Sequence, residues 1–208
     1  MIKILKHKIE YFFLLILFYL FRLLNIRISS FLGGIIIYTY GFFSKKNKIA
    51  FENISHALPN LDYKQKKSII KKMWFNLGRV LGEYPNLDKI KILGNHNIKV
   101  IDHINCIEPC NKFNNCLFFS AHIGNWEVTA HPITQFGNDM WFIYRAPNNI
   151  DVDNLLRKIR SRYGVGLIRK GPEGAKKCIS LLNKKKKNLG MLIDQKMNDG
   201  IKTTFFGK

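Results

Sequence analysis

Acidic residues are scarce in this 208-residue chain, which has 14 Asp and Glu against 34 Lys and Arg. Cysteine is scarce as well, and its spacing suits neither a disulfide framework nor a zinc site, so we expect free thiols in a reducing compartment. The four cysteines are Cys106, Cys110, Cys116 and Cys178. The shortage of acid leaves a net charge of +20, which predicts anionic partners: nucleic acid, an anionic membrane, phosphorylated lipid or an acidic protein.

Two apolar runs at the N-terminus favour a membrane among these partners. Residues 11–21 are unbroken aromatic and aliphatic side chains, and Arg22 and Arg27 follow them. A cleaved signal peptide is disfavoured because the run is long and no small-residue cleavage site follows. A buried core helix stays open, although apolar residues on every face suit lipid better. We expect a membrane anchor over residues 8–25, with residues 28–43 at the interface or packed beneath it.

The segment after this anchor region of residues 1–45 is predicted to be helical and basic. Apolar spacing predicts one helix over 47–58, ended by Pro59, and a longer one over 63–83 with Asp62 as its N-cap. Many lysines crowd the start of the longer helix. They form either a solvated face or a surface attracted to anionic headgroups. We assign residues 46–97 to this helical part of the main domain.

From residue 98 to 208 the pattern alternates between strands and helices. The predicted strands are 98–101, 117–121, 140–144, 165–168, 189–193 and 203–206. The predicted helices are 125–136, 151–163 and 172–183. This alternation predicts an α/β fold with a mixed, largely parallel sheet that has helices on both faces.

Polar side chains directly follow several of these strands. His122, Arg145 and Asp194 can converge, because ligand sites of parallel sheets lie at the carboxyl ends of the strands. His122 is also followed five positions later by Glu127. A histidine oriented by a carboxylate is the minimal apparatus for deprotonating a hydroxyl. The alternative is a loop histidine satisfied by backbone carbonyls and a glutamate at a helix N-terminus.

Six blocks in order extend this pattern over most of the chain. They are Glu52-Asn53-Ile54 with Leu58-Pro59; Asn76-x-Gly78 with Glu83; His122-Ile-Gly-Asn-Trp-Glu127; Tyr144-Arg145-Ala-Pro147 with Asn149; Arg160, Arg162 and Gly164 with Ile168-Arg169-Lys170; and Asp194-Gln195 with Gly200 and Phe205-Phe206-Gly207. With these blocks the chain resembles the bacterial lipid A biosynthesis acyltransferases, the lauroyl and myristoyl transferases of the glycerolipid acyltransferase-like group. Members of that family continue beyond the last block, so we expect the C-terminal part of the family fold to be missing here.

The resemblance implies transfer of a fatty acyl chain from an acyl carrier protein thioester to a hydroxyl of a phosphorylated, glucosamine-based lipid A precursor. In this reading His122 is the general base, and Glu127 holds its tautomer and stabilises the imidazolium. Backbone N–H groups of Gly124 and Asn125 are candidate donors to the oxyanion. The reaction requires no cofactor and no metal.

Further residues are candidates for binding substrate. Arg145, Arg160, Arg162 and Arg169 can clamp a phosphate or the donor's phosphopantetheine group, or they are surface cations of a basic chain. Asp194 and Gln195 either line the site or cap a loop. The four lysines from Lys184 to Lys187 form a solvated turn, or they meet the acidic carrier protein or anionic lipid.

The expected location is the bacterial inner membrane, with the active site facing the cytoplasm. Nucleic-acid binding would explain the charge but not the apolar N-terminus, and the chain has no recognised nucleic-acid-binding motif. A non-catalytic membrane scaffold gives no reason for His122 to stand at a strand end with Glu127 nearby. Two alternatives stay open: an acyltransferase for another phospholipid or glycolipid, and an inactive, truncated membrane-bound homologue.

Overall fold

Helices fill the first half of the chain, and strands alternate with helices in the second. The computed structural model describes residues 2–92, 98–101, 103–113, 115–184, 187–195 and 204. The helices are α1 (Ile2–Leu23), α2 (Ile26–Phe42), α3 (Lys46–Ala57), α4 (Tyr63–Glu83), α5 (His103–Phe113), α6 (His131–Gln135), α7 (Ile150–Ser161) and α8 (Pro172–Asn183). Short 3-10 helices span Tyr84–Lys89 and Trp126–Ala130. The strands are β1 (Leu117–Ser120), β2 (Met140–Tyr144), β3 (Val165–Arg169) and β4 (Asn188–Leu192).

The strands form one sheet in the order β1-β4-β2-β3, and every described pair is parallel. Side chains alternate between its faces. Met140 packs in one cluster with residues of α5 and α6, and its neighbour Trp141 packs with Leu181 of α8 in another. The sheet therefore has helices on both faces. The α/β architecture with a parallel sheet flanked by helices is confirmed.

Most of the predicted elements are present, but two predictions differ and one is not tested. No strand forms at 98–101, because the described sheet ends at β1 and β3, and neither edge pairs with this segment. The unpredicted α5 follows instead. The predicted helix 125–136 divides into a 3-10 helix and α6. The predicted strand 203–206 lies outside the described residues, apart from residue 204.

Small residues let α2 and α4 pack at close range. A Cβ atom added to Gly33 would lie 2.4 Å from the carbonyl oxygen of Gly78, and one added to Gly78 would lie 2.2 Å from that of Gly33. Only glycine fits this crossing, because any larger residue would push the two backbones apart. The helix α4 begins with a reciprocal capping box between Asp62 and Gln65, as expected for an Asp N-cap.

The helix α1 lies against the sheet domain along one face. Phe18 is buried with Leu87 and with residues of α7, and the aliphatic and aromatic groups around it form one core cluster. Arg22 donates to the carbonyl oxygen of Pro85 at 2.5 Å and forms an ion pair with Asp88. Near the other end of the helix, Lys8 pairs with Asp151 at 2.8 Å. The predicted anchor is thus a helix that is docked at both ends.

The outer faces of α1 and α2 expose many large apolar side chains. Within the described residues, no individual helix combines the length and the apolar character needed to cross a bilayer. The helices α2 and α3 meet these criteria only as a pair, with a bend of 93° between them. The anchor role assigned to residues 8–25, and the domain boundary at residue 45, stay predictions.

Candidate active site

His122 stands where the carboxyl ends of two neighbouring strands meet. The strand β1 pairs with β4, and the backbone N–H of Ile193 donates to the carbonyl oxygen of Ser120 at 3.0 Å just beyond the ladder. The loops after these strands therefore lie side by side. The Asp194 carboxylate accepts from the backbone N–H of His122 at 2.8 Å, and its other oxygen lies 2.7 Å from the His122 Nδ1 atom. One carboxylate thus fixes both the loop and the ring.

The partners of the His122 ring assign its tautomer. A carboxylate can only accept, so Nδ1 carries the proton and donates to Asp194. Nε2 is then the acceptor, and the Gln195 side-chain amide, 3.1 Å away, donates to it. The ring also meets Trp126 edge to face, with centroids 5.0 Å apart. About a quarter of the His122 side chain, 28%, is exposed, so the ring is open to an incoming molecule.

Asp194 is held in its ionised form. Burial raises the pKa of this carboxyl, but the hydrogen bonds from the backbone and ring of His122 lower it more, so its pKa lies below the usual range. An ionised Asp194 is a stronger acceptor for Nδ1–H and would stabilise a protonated ring. The pair has the parts of a general base and its orienting carboxylate.

Glu127, the expected partner of His122, lies elsewhere. Its buried carboxylate is gripped by Arg160 of α7, with Nε donating to one oxygen at 2.9 Å and a terminal nitrogen to the other at 2.5 Å. The Tyr163 hydroxyl adds a third hydrogen bond at 3.2 Å. The predicted contact between Glu127 and His122 is therefore wrong in this structure. The same ion pair shows that Arg160 does not face an open site.

Local backbone geometry explains where Glu127 points. Gly124 has φ of +58°, a left-handed conformation that turns the chain sharply after His122. Asn125 then caps the 3-10 helix by accepting from the backbone N–H of Glu127 at 3.2 Å. Consecutive side chains on a 3-10 helix point about 120° apart. Trp126 consequently faces His122, while Glu127 turns inward towards α7.

The other predicted arginines do not gather in one place, because Arg145 and Arg169 lie at the carboxyl ends of β2 and β3, whereas Arg162 follows α7 and precedes β3. Arg145 follows β2, is exposed, and forms no hydrogen bond or ion pair with the described residues. Arg169 ends β3 and pairs with the fully buried Asp153. Arg162 lies over the ring of Phe18, 5.6 Å from its centroid. Among these predicted arginines, Arg145 is thus the one whose described surroundings leave it available for an anion.

The sequence model of one family, the bacterial lipid A biosynthesis acyltransferases, matches residues 2–208 of the chain. The chain belongs to this family. The resemblance carried by the ordered motif blocks is confirmed, and the chain is an acyltransferase by family membership. A search of curated proteins gave no significant match.

Beneath the site, the acyltransferase has a buried polar cluster around Glu127. Burial and the negative charge of Glu127 raise the pKa values of Tyr84 and Tyr163, so both hydroxyls stay protonated at neutral pH. Burial lowers the pKa of Arg160, but its hydrogen bonds and charge attraction to Glu127 raise it more. The His131 ring stacks on the Tyr163 ring with centroids 4.8 Å apart, and burial lowers the pKa of His131. The charges of this cluster do not change near neutral pH, so the cluster can support the loop that carries His122.

A second group of polar side chains joins the loop of residues 122–127 to α4, and the sequence patterns assigned these side chains no role. The Glu83 carboxylate accepts from the Ser30 hydroxyl at 2.6 Å and from the Asn125 side-chain amide at 2.5 Å. Asn76, also on α4, donates to the carbonyl oxygen of Gly124 at 3.3 Å. Ser30 was missed altogether. The sequence signal that could have found it is the Ser29-Ser30 pair within a largely apolar run.

A groove of about 650 Å³ runs between α2 and α4 close to this loop. Its walls are apolar and aromatic on the α2 side and carry cations on the α4 side. The lining residues are Phe31, Ile35, Tyr38, Lys71, Lys72, Phe75, Asn76 and Arg79. The volume is within the range of about 300–1,000 Å³ that is usual for ligand sites. Such a lining suits an amphiphilic molecule with an anionic end.

Proposed function

We propose that this acyltransferase moves a fatty acyl chain from an acyl carrier protein thioester to a hydroxyl of a lipid A precursor. The observation that carries the proposal is the pairing of His122 with Asp194 at adjacent strand ends, in a chain of this family. Nε2 of His122 holds a lone pair on the side away from Asp194. A general base needs such a lone pair within reach of its substrate.

In the proposed reaction the acceptor hydroxyl replaces the Gln195 amide as hydrogen-bond donor to His122 Nε2. Nε2 takes the hydroxyl proton while the oxygen attacks the thioester carbonyl. The tetrahedral intermediate collapses with cleavage of the carbon–sulfur bond, and the imidazolium returns its proton to the leaving thiolate. Asp194 stabilises the imidazolium between these steps. No covalent enzyme intermediate forms.

Glu127 has a positioning role in this proposal. Its ion pair with Arg160 attaches the loop that carries His122 to α7. The loop can then present the backbone N–H groups of Gly124 and Asn125 to the developing oxyanion, because the described hydrogen bonds do not use these groups. Preorganised donors of this kind stabilise the transition state without reorganisation during the reaction.

Anionic substrates are supported by the charge at the site. Arg145 directly follows β2, the strand next to β4, so its guanidinium is the first candidate for a phosphate of the lipid or of phosphopantetheine. The other two candidate arginines, Arg162 and Arg169, already contact Phe18 and Asp153. The acyl chain would lie along the groove between α2 and α4. The net charge of +20 favours an acidic carrier protein and an anionic lipid as partners.

We further propose that the exposed apolar faces of α1 and α2 rest on the inner membrane with the active site on the cytoplasmic side. Phe12 and Phe13 are 58% and 62% exposed, although Phe18 on the opposite face of α1 is buried. A helix with one docked face and one apolar outer face suits a position in the membrane interface. Lysines around these helices would meet anionic headgroups.

The substrates can be identified directly by mass spectrometry. Membranes containing the protein are incubated with isotope-labelled acyl carrier protein thioesters and three acceptors: a lipid A precursor, a lysophospholipid and a glycolipid. The proposal expects the label in an ester of the lipid A precursor. A labelled ester of the lysophospholipid or the glycolipid would show that the acceptor is a different lipid, and the protein would still be an acyltransferase. No labelled product above that of membranes lacking the protein would overturn the proposed function.

A further inference from the structure

Glu83, the last residue of α4, joins two parts of the molecule that are far apart in sequence. One carboxylate oxygen accepts from the Ser30 hydroxyl of α2 at 2.6 Å, and the other accepts from the Asn125 side-chain amide at 2.5 Å. Only 16% of the side chain is exposed. A carboxylate with a separate donor on each oxygen and little solvent has a defined orientation.

We propose that Glu83 is a positioning residue for the loop that carries His122. Asn125 is its direct partner, and Asn125 also caps the 3-10 helix that begins at Trp126. Trp126 in turn lies against the His122 ring. Glu83 therefore acts on His122 through Asn125 and the cap, without touching a substrate. The inference rests on the proposed function only because that function assigns the 122–127 loop to the reaction.

The helix that carries Glu83 packs closely against α2. The backbones of α2 and α4 touch at Gly33 and Gly78, where no side chain fits between them. Asn76 holds the carbonyl oxygen of Gly124 at 3.3 Å from the same helix. Asn76 and Glu83 are about two turns apart and so lie on one face of α4. Two anchoring points on one face fix the loop against rotation as well as against displacement.

The charge of Glu83 is balanced within the same group. Arg79 lies one turn earlier on α4, with a terminal nitrogen 3.9 Å from the Glu83 carboxylate. Its Nε donates to the Ser30 hydroxyl at 3.1 Å, and that hydroxyl donates to Glu83. Arg79 therefore donates to Ser30, and Ser30 donates to Glu83. Asn125 must donate its amide hydrogen to Glu83 from the other side.

A variant that removes both contacts gives the first test. Glu83→Ala should lower kcat at least tenfold and leave KM for donor and acceptor within twofold, because the side chain acts on loop geometry and not on binding. With 5-fluorotryptophan incorporated, the fluorine signal of Trp126, assigned with Trp126→Phe, should shift or broaden. Glu173→Ala removes an exposed carboxylate on α8 and should change neither quantity. Unchanged kcat and an unchanged Trp126 signal in Glu83→Ala would overturn the inference.

A reversed pair tests the contact even if Glu83→Ala does not fold. Asn125→Asp places two carboxylates face to face and should lower kcat. Adding Glu83→Gln restores one donor and one acceptor in reversed order, so kcat of the double variant should rise above that of Asn125→Asp alone. No recovery would count against a direct contact. If the wild type transfers no acyl group at all, the proposed function fails, and the Trp126 signal alone decides the positioning role.

Discussion

The ring of His122 is held by Asp194 and not by Glu127. Asp194 is 72 positions away along the chain, yet it contacts both the ring and the backbone of His122. Glu127 is close in sequence, but its two oxygens are occupied by Arg160 and Tyr163. The two acids therefore have separable effects, since one acts on the ring and the other on the stability of the loop.

Asp194→Asn should lower kcat by about 100-fold or more, because an asparagine amide can donate to Nδ1 and stabilise the wrong tautomer. Its Tm should stay near that of the wild type, since the position is partly exposed.

Glu127→Gln should also abolish transfer, but for a different reason. It leaves Arg160 buried without its charge partner, at a cost of about 3–5 kcal/mol in the free energy of unfolding. Thermal unfolding and steady-state kinetics of both variants measure the difference. A Glu127→Gln protein with wild-type Tm but no transfer, beside an active Asp194→Asn, would make Glu127 the orienting acid.

At the scale of elements, α1 is fastened to the domain by contacts near both of its ends. Arg22 and Asp88 form the inner contact, and Lys8 and Asp151 form the outer one. The hydrogen bond from Arg22 lowers the pKa of Asp88, although burial opposes it, and the net pKa is below the usual value. The docking of α1 is therefore linked to the ionisation of Asp88.

This linkage predicts the response of α1 to acid. Because the folded-state pKa of Asp88 is lower than the unfolded one, the unfolded state binds the proton more readily. The stabilisation is complete above the unfolded value of about 3.9 and is lost as the pH falls through the folded value. Hydrogen-exchange protection of α1 should fall in that window before protection of β2 does. Asp88→Asn should weaken α1 protection already at neutral pH, and equal protection of α1 in both proteins would contradict the linkage.

Elements with strong local signals could be predicted from sequence. The helix α4 has an N-cap at Asp62 and a periodic apolar face, and its observed range is the predicted one. The helix α5 was missed because Pro109 inside it removes a backbone donor and argues against a helix. The partner of His122 was misassigned for a different reason. Strand order is a long-range property, and only the pairing of β1 with β4 brings Asp194 to His122.

At the scale of the whole molecule, basic charge and an apolar surface occur together. The chain has a net charge of +20, and α1 and α2 expose aromatic and aliphatic side chains away from the core. Apolar burial would supply attraction to any bilayer, and the cations would add a preference for anionic lipid that salt weakens.

Phe13→Asp should therefore weaken binding to vesicles of anionic phospholipid, because it places a charge in the exposed apolar face of α1. The fold should persist, since Phe13 is 62% exposed. Co-sedimentation with vesicles, at low and high salt, measures the change. Ile179→Asp makes the same kind of change at a 61% exposed position on α8 and serves as the matched control. Equal losses in the two variants would show that α1 has no special part in membrane binding.

The proposed acyl transfer depends above all on the role of His122 as general base. Its most direct test is the rate of ester formation by His122→Ala and by the wild type, with an acyl carrier protein thioester and a lipid A precursor. Membrane association of the variant should equal that of the wild type. The predicted result is a fall in kcat of about 10²–10⁴-fold, the usual contribution of a positioned general base. A His122→Ala rate within a few fold of the wild type would contradict the claim.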